Sequence, residues 1–259
     1  MGIINLTPDS FYKESQSNSI KKMQLKIDSY IENNVDIIDI GAESSRPGSS
    51  QISKNEELSR LKPVFDIIKN YPDVNFSIDT YKAEIAKICL DNGFNIINDI
   101  YSGIKDENIF SIVNEYKAKM ILMHMKGDPI NMQQNTNYKN IISEINIFFK
   151  NRLKEALRHG IDKNKIIIDP GLGFGKSIKD NYLIINKLKS FNVHKVPILI
   201  GPSRKSFLSL ENDDPENRLT ATIVSTIIAF QKGADYIRVH DVKEIKKCIA
   251  INNNFINYK

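Results

Sequence analysis

Asp79, Asn98, Asp169 and Lys205 supply two carboxylates, an amide and an ammonium group, a set that suits a flat heterocycle with both donor and acceptor edges. Arg46, Arg204, Arg238 and His240, taken with Asn5, supply positive charge and suit an anion such as diphosphate, with or without a divalent metal. Each of these residues stands at, or just after, the end of a short apolar run. One polar residue in such a place reads as a helix cap or a loop hydrogen bond. Eight runs that all end in polar chemistry imply a fold that gathers their ends.

The runs are GIINL at Gly2 to Leu6, DIIDIG at Asp36 to Gly41, NFSID at Asn75 to Asp79 and NIIND at Asn95 to Asp99, followed by KMILMH at Lys119 to His124, KIIID at Lys165 to Asp169, PILIG at Pro197 to Gly201 and DYIRVH at Asp235 to His240. They are rich in Ile and continuous rather than alternating, which predicts strands buried on both faces, as in a parallel sheet covered by helices. Between them, segments such as IKKMQLKIDSYIENN, NEELSRLKPVFDIIKN, KAEIAKICLDNG, IISEINIFFKNRLKEALRHG and RLTATIVSTIIAFQKG repeat apolar residues at three- and four-residue spacing, the period of an amphipathic helix. Eight βα units in 259 residues predict an α/β fold, a single (β/α)₈ TIM barrel domain over residues 1–259; an open, doubly wound sheet is the alternative. In such a barrel the C-terminal strand ends face one site. They deliver Asn5, then Glu43, Ser44, Ser45 and Arg46, then Asp79, Asn98 with Asp99, His124, Asp169, then Ser203, Arg204 and Lys205, and finally Arg238 and His240.

Composition narrows the partners. The chain is 41% hydrophobic and 26% charged, ordinary for a globular protein. Its net charge of +5 is spread as lysine interleaved with acids rather than gathered in a block, which speaks against a nucleic-acid partner. No apolar stretch approaches the roughly 18 residues of a membrane helix, and a cytoplasmic enzyme is expected. Cys89 and Cys248 lack metal or redox spacing and read as small core thiols. DPGLGFGKS resembles a phosphate-binding loop but has Pro170 where the GxxxxGKS/T pattern needs Gly, and MGIINL has Leu6 where a myristoylation signal needs Ser or Thr. His159 reads as a helix-end residue, His194 as a loop residue, and His124 as a packed histidine behind the site.

MGIINLTPDSF, DIIDIGAESSRPGS, SIDTYKAEIA, GFNIINDI, MILMHMKGDP, IIIDPGLGFGK, GPSRKSFL and GADYIRVHDVKE fall in order on all eight predicted strands, and in them the chain resembles the dihydropteroate synthase family of pterin-binding barrels. The resemblance implies a transferase of folate biosynthesis that joins 4-aminobenzoate to (7,8-dihydropterin-6-yl)methyl diphosphate and releases diphosphate. It implies that Asp79, Asn98, Asp169 and Lys205 hold the pterin, and that Asn5 coordinates Mg²⁺ and the diphosphate. It places Ser45, Arg46, Arg238 and His240 on the diphosphate, and Phe11, Pro47 and Ser206 around 4-aminobenzoate. It further implies that the C–O bond ionises before the amine attacks, that the enzyme is a homodimer formed through late barrel helices, and that sulfonamides compete for the aminobenzoate pocket.

The chain also departs from the pattern. Where the family reads SFSDGG it reads SFYKES, so Lys13, with Tyr12 and Glu14 beside it, stands where an Asp of the first loop is usual. Ser45 replaces a Thr and keeps the hydroxyl, Ala42 replaces a Gly, and the chain begins directly on the first predicted strand. The altered loop bears on closure and turnover more than on pterin binding. Two alternatives follow: a non-catalytic pterin-binding barrel, and a methyltetrahydrofolate-dependent methyltransferase. SSRPGS and SRKSF weigh against methyl transfer, which has no diphosphate to hold.

Overall fold

A strand buried on both faces sends alternate side chains to opposite sides. In a closed barrel those sides are the inside of the ring and the layer beneath the helices. The computed structural model describes residues 1–6, 16–210 and 213–257. Its eight strands are β1 (Gly2–Asn5), β2 (Ile38–Gly41), β3 (Phe76–Asp79), β4 (Ile96–Asp99), β5 (Lys119–Met123), β6 (Ile166–Asp169), β7 (Leu199–Ile200) and β8 (Tyr236–Ile237). The helices are α1 (Gln16–Glu32), α2 (Lys54–Ile68), α3 (Ala83–Asp91), α4 (Asn108–Glu115), α5 (Ile141–Arg158), α6 (Ile178–Asn186), α7 (Leu219–Gln231) and α8 (Val242–Asn257).

Strands β1 to β6 pair in parallel, each with the next in sequence, and β7 pairs with β8. The ring closes at two seams. Ile168 donates its N–H to Pro197 O at 3.0 Å, while Ile3 and Val239 donate to Val239 O and Met1 O, each at 2.9 Å. This is the TIM barrel rather than the open sheet. The strands are shorter than the apolar runs that announced them, most of all β7 and β8, whose neighbours Ile198 and Val239 pair only as isolated bridges to Ile168 and Gly2.

Side-chain parity separates two cores. Ile37, Ile96, Ile121, Ile167 and Leu199, with Tyr236 packed against them, form a cluster inside the ring. Ile38, Ile40, Ile78, Ile97, Leu122, Ile168 and Ile200, of opposite parity, join the larger core under the helices. Two residues beyond each member of the inner cluster the same parity delivers Asp39, Asn98, Met123, Asp169, Gly201 and Arg238, so the floor of the barrel and its chemistry come from one alternation.

Helix signals agree with the structure where the caps are explicit. Ser53 accepts the Glu56 N–H at 3.2 Å to open α2, and Ser177 with Asp180 forms a reciprocal capping box on α6. Cys89 is buried in α3, whereas Cys248 on α8 is only half-buried. His194 ends a 3₁₀ turn, Leu188–His194, rather than lying in an open loop, and its Nε2 meets Asn146 Oδ1 at 2.9 Å. No helix among the described residues is long and apolar enough to cross a membrane.

Tyr30 of α1 joins the seam between β8 and β1: its hydroxyl lies 2.9 Å from both Ile3 O and His240 O. Tyr30→Phe leaves those carbonyls without that donor and is expected to cost about 1–2 kcal/mol of unfolding free energy at unchanged m-value. Urea denaturation checks this; a loss below about 0.5 kcal/mol would assign the seam to the backbone ladder alone.

Candidate active site

The strand register puts Asn5, Gly41, Asp79 and Asn98 in one row, each the Cα partner of the next. Gly41 packs closely there: a Cβ at that position would lie 3.3 Å from Asp79 Cβ, a tight contact. Asp79, Asn98, Asp169, Lys205 and Arg238 line a single pocket, with Ser45 and Gly201 at its edge and Ile100, Met123, Leu172 and Phe174 as its apolar walls. Apolar walls interleaved with a few polar groups suit a hydrogen-bonding ring.

Arg238 organises this pocket from its centre. Its Nε donates to Asp39 Oδ2 at 2.7 Å, and its terminal nitrogen lies 2.6 Å from that oxygen and 2.9 Å from Asp79 Oδ2. Asn98 Nδ2 donates to the same Asp39 oxygen at 3.2 Å. Asp39 is fully buried and was not among the residues singled out in the sequence. Burial pushes the Asp79 carboxyl up from the usual carboxylate range, against the pull of Arg238. Asp169 is also raised by burial, while the Gly171 N–H, which it accepts at 2.7 Å, holds it back. Lys205 is lowered to about 8 by burial and by Arg238, against the attraction of Asp169 and Asp79. Its ammonium lies 4.1 Å from the centre of the Phe174 ring, a cation–π contact on the pocket wall.

The Gly-rich turn after β6 is a packing device. Gly171 has φ +70°, and a Cβ on it would stand 2.1 Å from His124 O. Lys176, buried and lowered to about 7 by burial, donates to His124 O at 3.0 Å and Phe174 O at 2.9 Å, stitching this turn to the end of β5. The His124 ring packs edge-on to Phe148 and burial holds it neutral at about 2, so its backbone, not its imidazole, serves the site.

The anion end differs from the expected cluster of positive charge. Arg204 is tied through two nitrogens to Asp241, at 2.6 and 3.2 Å, and Arg238 is held inside by carboxylates. His240 is lowered to about 3 by burial, then by Arg238 and Arg204, and is neutral at ordinary pH. Ser203 Oγ accepts the His240 backbone N–H at 3.2 Å and stands 2.9 Å from the ring Nδ1, so this one hydroxyl holds both the backbone and the ring of His240. Asn5 is half-buried at the end of β1; Arg46, Pro47 and Ser206 are exposed, and Ser45 is half-buried. Phe11, Tyr12, Lys13 and Glu14 lie outside the described residues.

Removing one partner of a buried ion pair strands the other. Asp39→Asn is therefore expected to lower unfolding free energy at pH 7 by about 3 kcal/mol. Chemical denaturation checks it, and a loss under about 1 kcal/mol would show that Asp79 alone satisfies Arg238.

The comparisons agree along the whole chain. A family model for pterin binding enzymes matches residues 1–240. The dihydropteroate synthase of Clostridium beijerinckii is 39% identical over 246 residues, covering 94% of this chain and 89% of that protein. The dihydropteroate synthase of Yersinia pestis, crystallised as a sulfonamide drug complex, superposes with a TM-score of 0.92 at 36% identity, covering 99% of this chain and 94% of that one. That of Clostridium difficile, crystallised in the presence of pteroic acid, superposes with a TM-score of 0.91 at 36% identity, covering 98% and 95%. A pocket built for a flat heterocycle, on a barrel matched this closely in sequence and in shape, has one reading: the chain belongs to the pterin-binding enzyme family.

Proposed function

We propose that this chain joins 4-aminobenzoate to (7,8-dihydropterin-6-yl)methyl diphosphate, forming 7,8-dihydropteroate and diphosphate, the dihydropteroate synthase reaction of folate biosynthesis. The observation that carries the reading is the pocket in which Asp79, Asn98, Asp169 and Lys205 surround a space walled by Ile100, Met123, Leu172 and Phe174. Carboxylates match the ring's N–H groups, and Lys205 matches its carbonyl oxygen. In the reaction the C–O bond to diphosphate breaks with its electron pair on oxygen, the amine nitrogen forms the new C–N bond, and the amine loses a proton. The carboxylates Asp79 and Asp169 favour positive charge developing on the pterin, while donors at the anion end favour the departing diphosphate. Neutral His240 stands at this end, and exposed Arg46 with Ser45 stands on the loop after β2. Phe11, Pro47 and Ser206 are assigned to the aminobenzoate side of the mouth.

Among the described residues, the end of β1 offers one amide oxygen, from Asn5, and no grouping of His, Cys, Asp or Glu with metal-ligand spacing lies in the pocket; the one such grouping is Glu107, Glu155 and His159 on the helical side. That donor set fits a Mg²⁺ ion whose other ligands are diphosphate oxygens and water, not an ion caged by protein alone. When bound, the ion would neutralise charge on the leaving diphosphate. The exposed Val224 and Ile228 of α7, with Ile251 and Phe255 of the adjoining α8, support assembly as a homodimer, and a cytoplasmic location accompanies the biosynthetic role.

Turnover of the purified chain with both substrates and Mg²⁺ tests the reading. Dihydropteroate formation is expected, inhibited by sulfonamides in competition with 4-aminobenzoate. Binding of the pterin diphosphate without product would instead mark a non-catalytic barrel, with the first loop carrying Lys13 as the cause to examine.

A pH dependence follows from Lys205. Its folded pKa is depressed, so the free protein carries the ammonium below about 8 and loses it above. A ligand that accepts a hydrogen bond from the ammonium should bind more weakly by up to about tenfold per pH unit above that point. Titration calorimetry with a pterin lacking the diphosphate checks this, and Lys205→Arg should move the alkaline flank out of range. A flank unchanged in the variant would reject the assignment.

A further inference from the structure

The loop after β2, residues 42–53, leaves the ring beside the pocket and returns to start α2. Ser45 on this loop lines the pocket, while Arg46, Pro47 and Gly48 are exposed at its tip, where the Gly48 N–H donates to Pro129 O at 3.0 Å. Glu43 closes the neck of the loop: its Oε2 accepts the N–H of Ile52 at 3.3 Å, joining the first residues of the segment to the last. The same oxygen accepts the Lys82 ammonium at 2.6 Å, and that ammonium also meets Glu57 Oε2 of α2 at 2.5 Å. All three side chains are largely shielded from solvent, with exposures of 15% for Glu43, 9% for Lys82 and 1% for Glu57. None belongs to the pocket lining, and their charges do not contribute to holding either substrate directly.

We propose that Lys82 is a positioning residue for the second substrate: by clasping Glu43 against Glu57 it fixes the neck of the loop carrying Ser45 and so sets the mouth of the pocket. Lys82 follows Asp79 by only three residues, so the clasp references the loop to the strand that presents Asp79. The inference rests on the proposed two-substrate reaction. In that reaction the heterocycle occupies the deep pocket, whose floor the inner cluster closes. The amine must therefore approach past the mouth, where Ser45 stands. A loop released from its neck leaves the deep pocket intact and loosens the approach. Without Lys82, Glu43 and Glu57 would be two shielded carboxylates facing each other, which disfavours the closed neck. Burial already raises Glu57 in the presence of Lys82, in keeping with one cation shared between two acids.

The test separates positioning from mere stability. Lys82→Met alone strands two carboxylates and is at risk of not folding, so it is paired with Glu57→Gln, which removes the surplus charge while keeping the clasp broken. In the double variant, the KM for 4-aminobenzoate is expected to rise by about tenfold and the KM for the pterin diphosphate to stay within about twofold of the parent value. Hydrogen exchange of the peptide spanning residues 42–53 should accelerate, while the peptide containing β4 is unchanged. Equal changes in both KM values, or an unaltered exchange rate in the loop, would overturn the proposal. Parent turnover is measured first. Its absence would defeat the functional reading, and the exchange experiment would still decide whether Lys82 holds the loop.

Discussion

Arg238 is the constraint around which the site is built. A guanidinium cannot shed its charge, so placing it inside a barrel demands carboxylates at hydrogen-bond distance. Asp39 from β2 and Asp79 from β3 meet that demand, reaching across the ring from the strands that follow β1. Asn98 completes the network by donating to Asp39. The arrangement fixes three strands relative to β8 near the seam where the ring has its shortest ladders. It also leaves the upper layer of the barrel polar, where the lower layer is filled with Ile and Leu.

The same strand geometry serves stability and chemistry without compromise between them. Outward positions are chiefly Ile, with Phe76, Met120 and Leu122, and hold the helices in place, while most inward positions change from apolar to polar within two residues. Buried charge above an apolar floor explains why burial dominates the ionisation of nearly every group in the pocket. Carboxylates are raised and ammonium groups lowered, so the free site sits close to losing its charges. A ligand whose donors face Asp79 and Asp169 and whose acceptor faces Lys205 restores the partners that water no longer supplies.

Much of this was legible in the residues. Eight Ile-rich runs separated by helical periods named the barrel, and the polar residue at each end of β3, β4 and β6 marked the pocket. Asp39 was not legible, because it lies within a strand rather than at its end; the signal was an acid set inside the apolar run DIIDIG, where only a buried partner makes it tolerable. Glu57 and Lys82 read as surface charges by type alone, and Glu43 was expected among the strand ends facing the site; only the fold brings the three together beside it. Arg204 and Arg238 were indistinguishable as cations, since only the fold puts Asp241 beside one and Asp39 and Asp79 beside the other. His194 and Cys248 were placed by pattern alone, and tertiary packing decided otherwise.

The neutral state of His240 changes what the anion end is for. Three fixed cations there would grip diphosphate as firmly before reaction as after it, and tight binding common to both states does nothing for the chemical step. In the structure two of the expected cations are already balanced by carboxylates, and the imidazole is held neutral beside Ser203. A neutral imidazole adds no fixed charge to that grip. On the proposed reading, charge compensation for diphosphate rests instead on the exposed Arg46 and on the ion proposed to accompany the diphosphate. In the proposed reaction a site so arranged would hold its heterocycle with built-in charges and its leaving group with few, which would allow diphosphate to depart once the new C–N bond has formed.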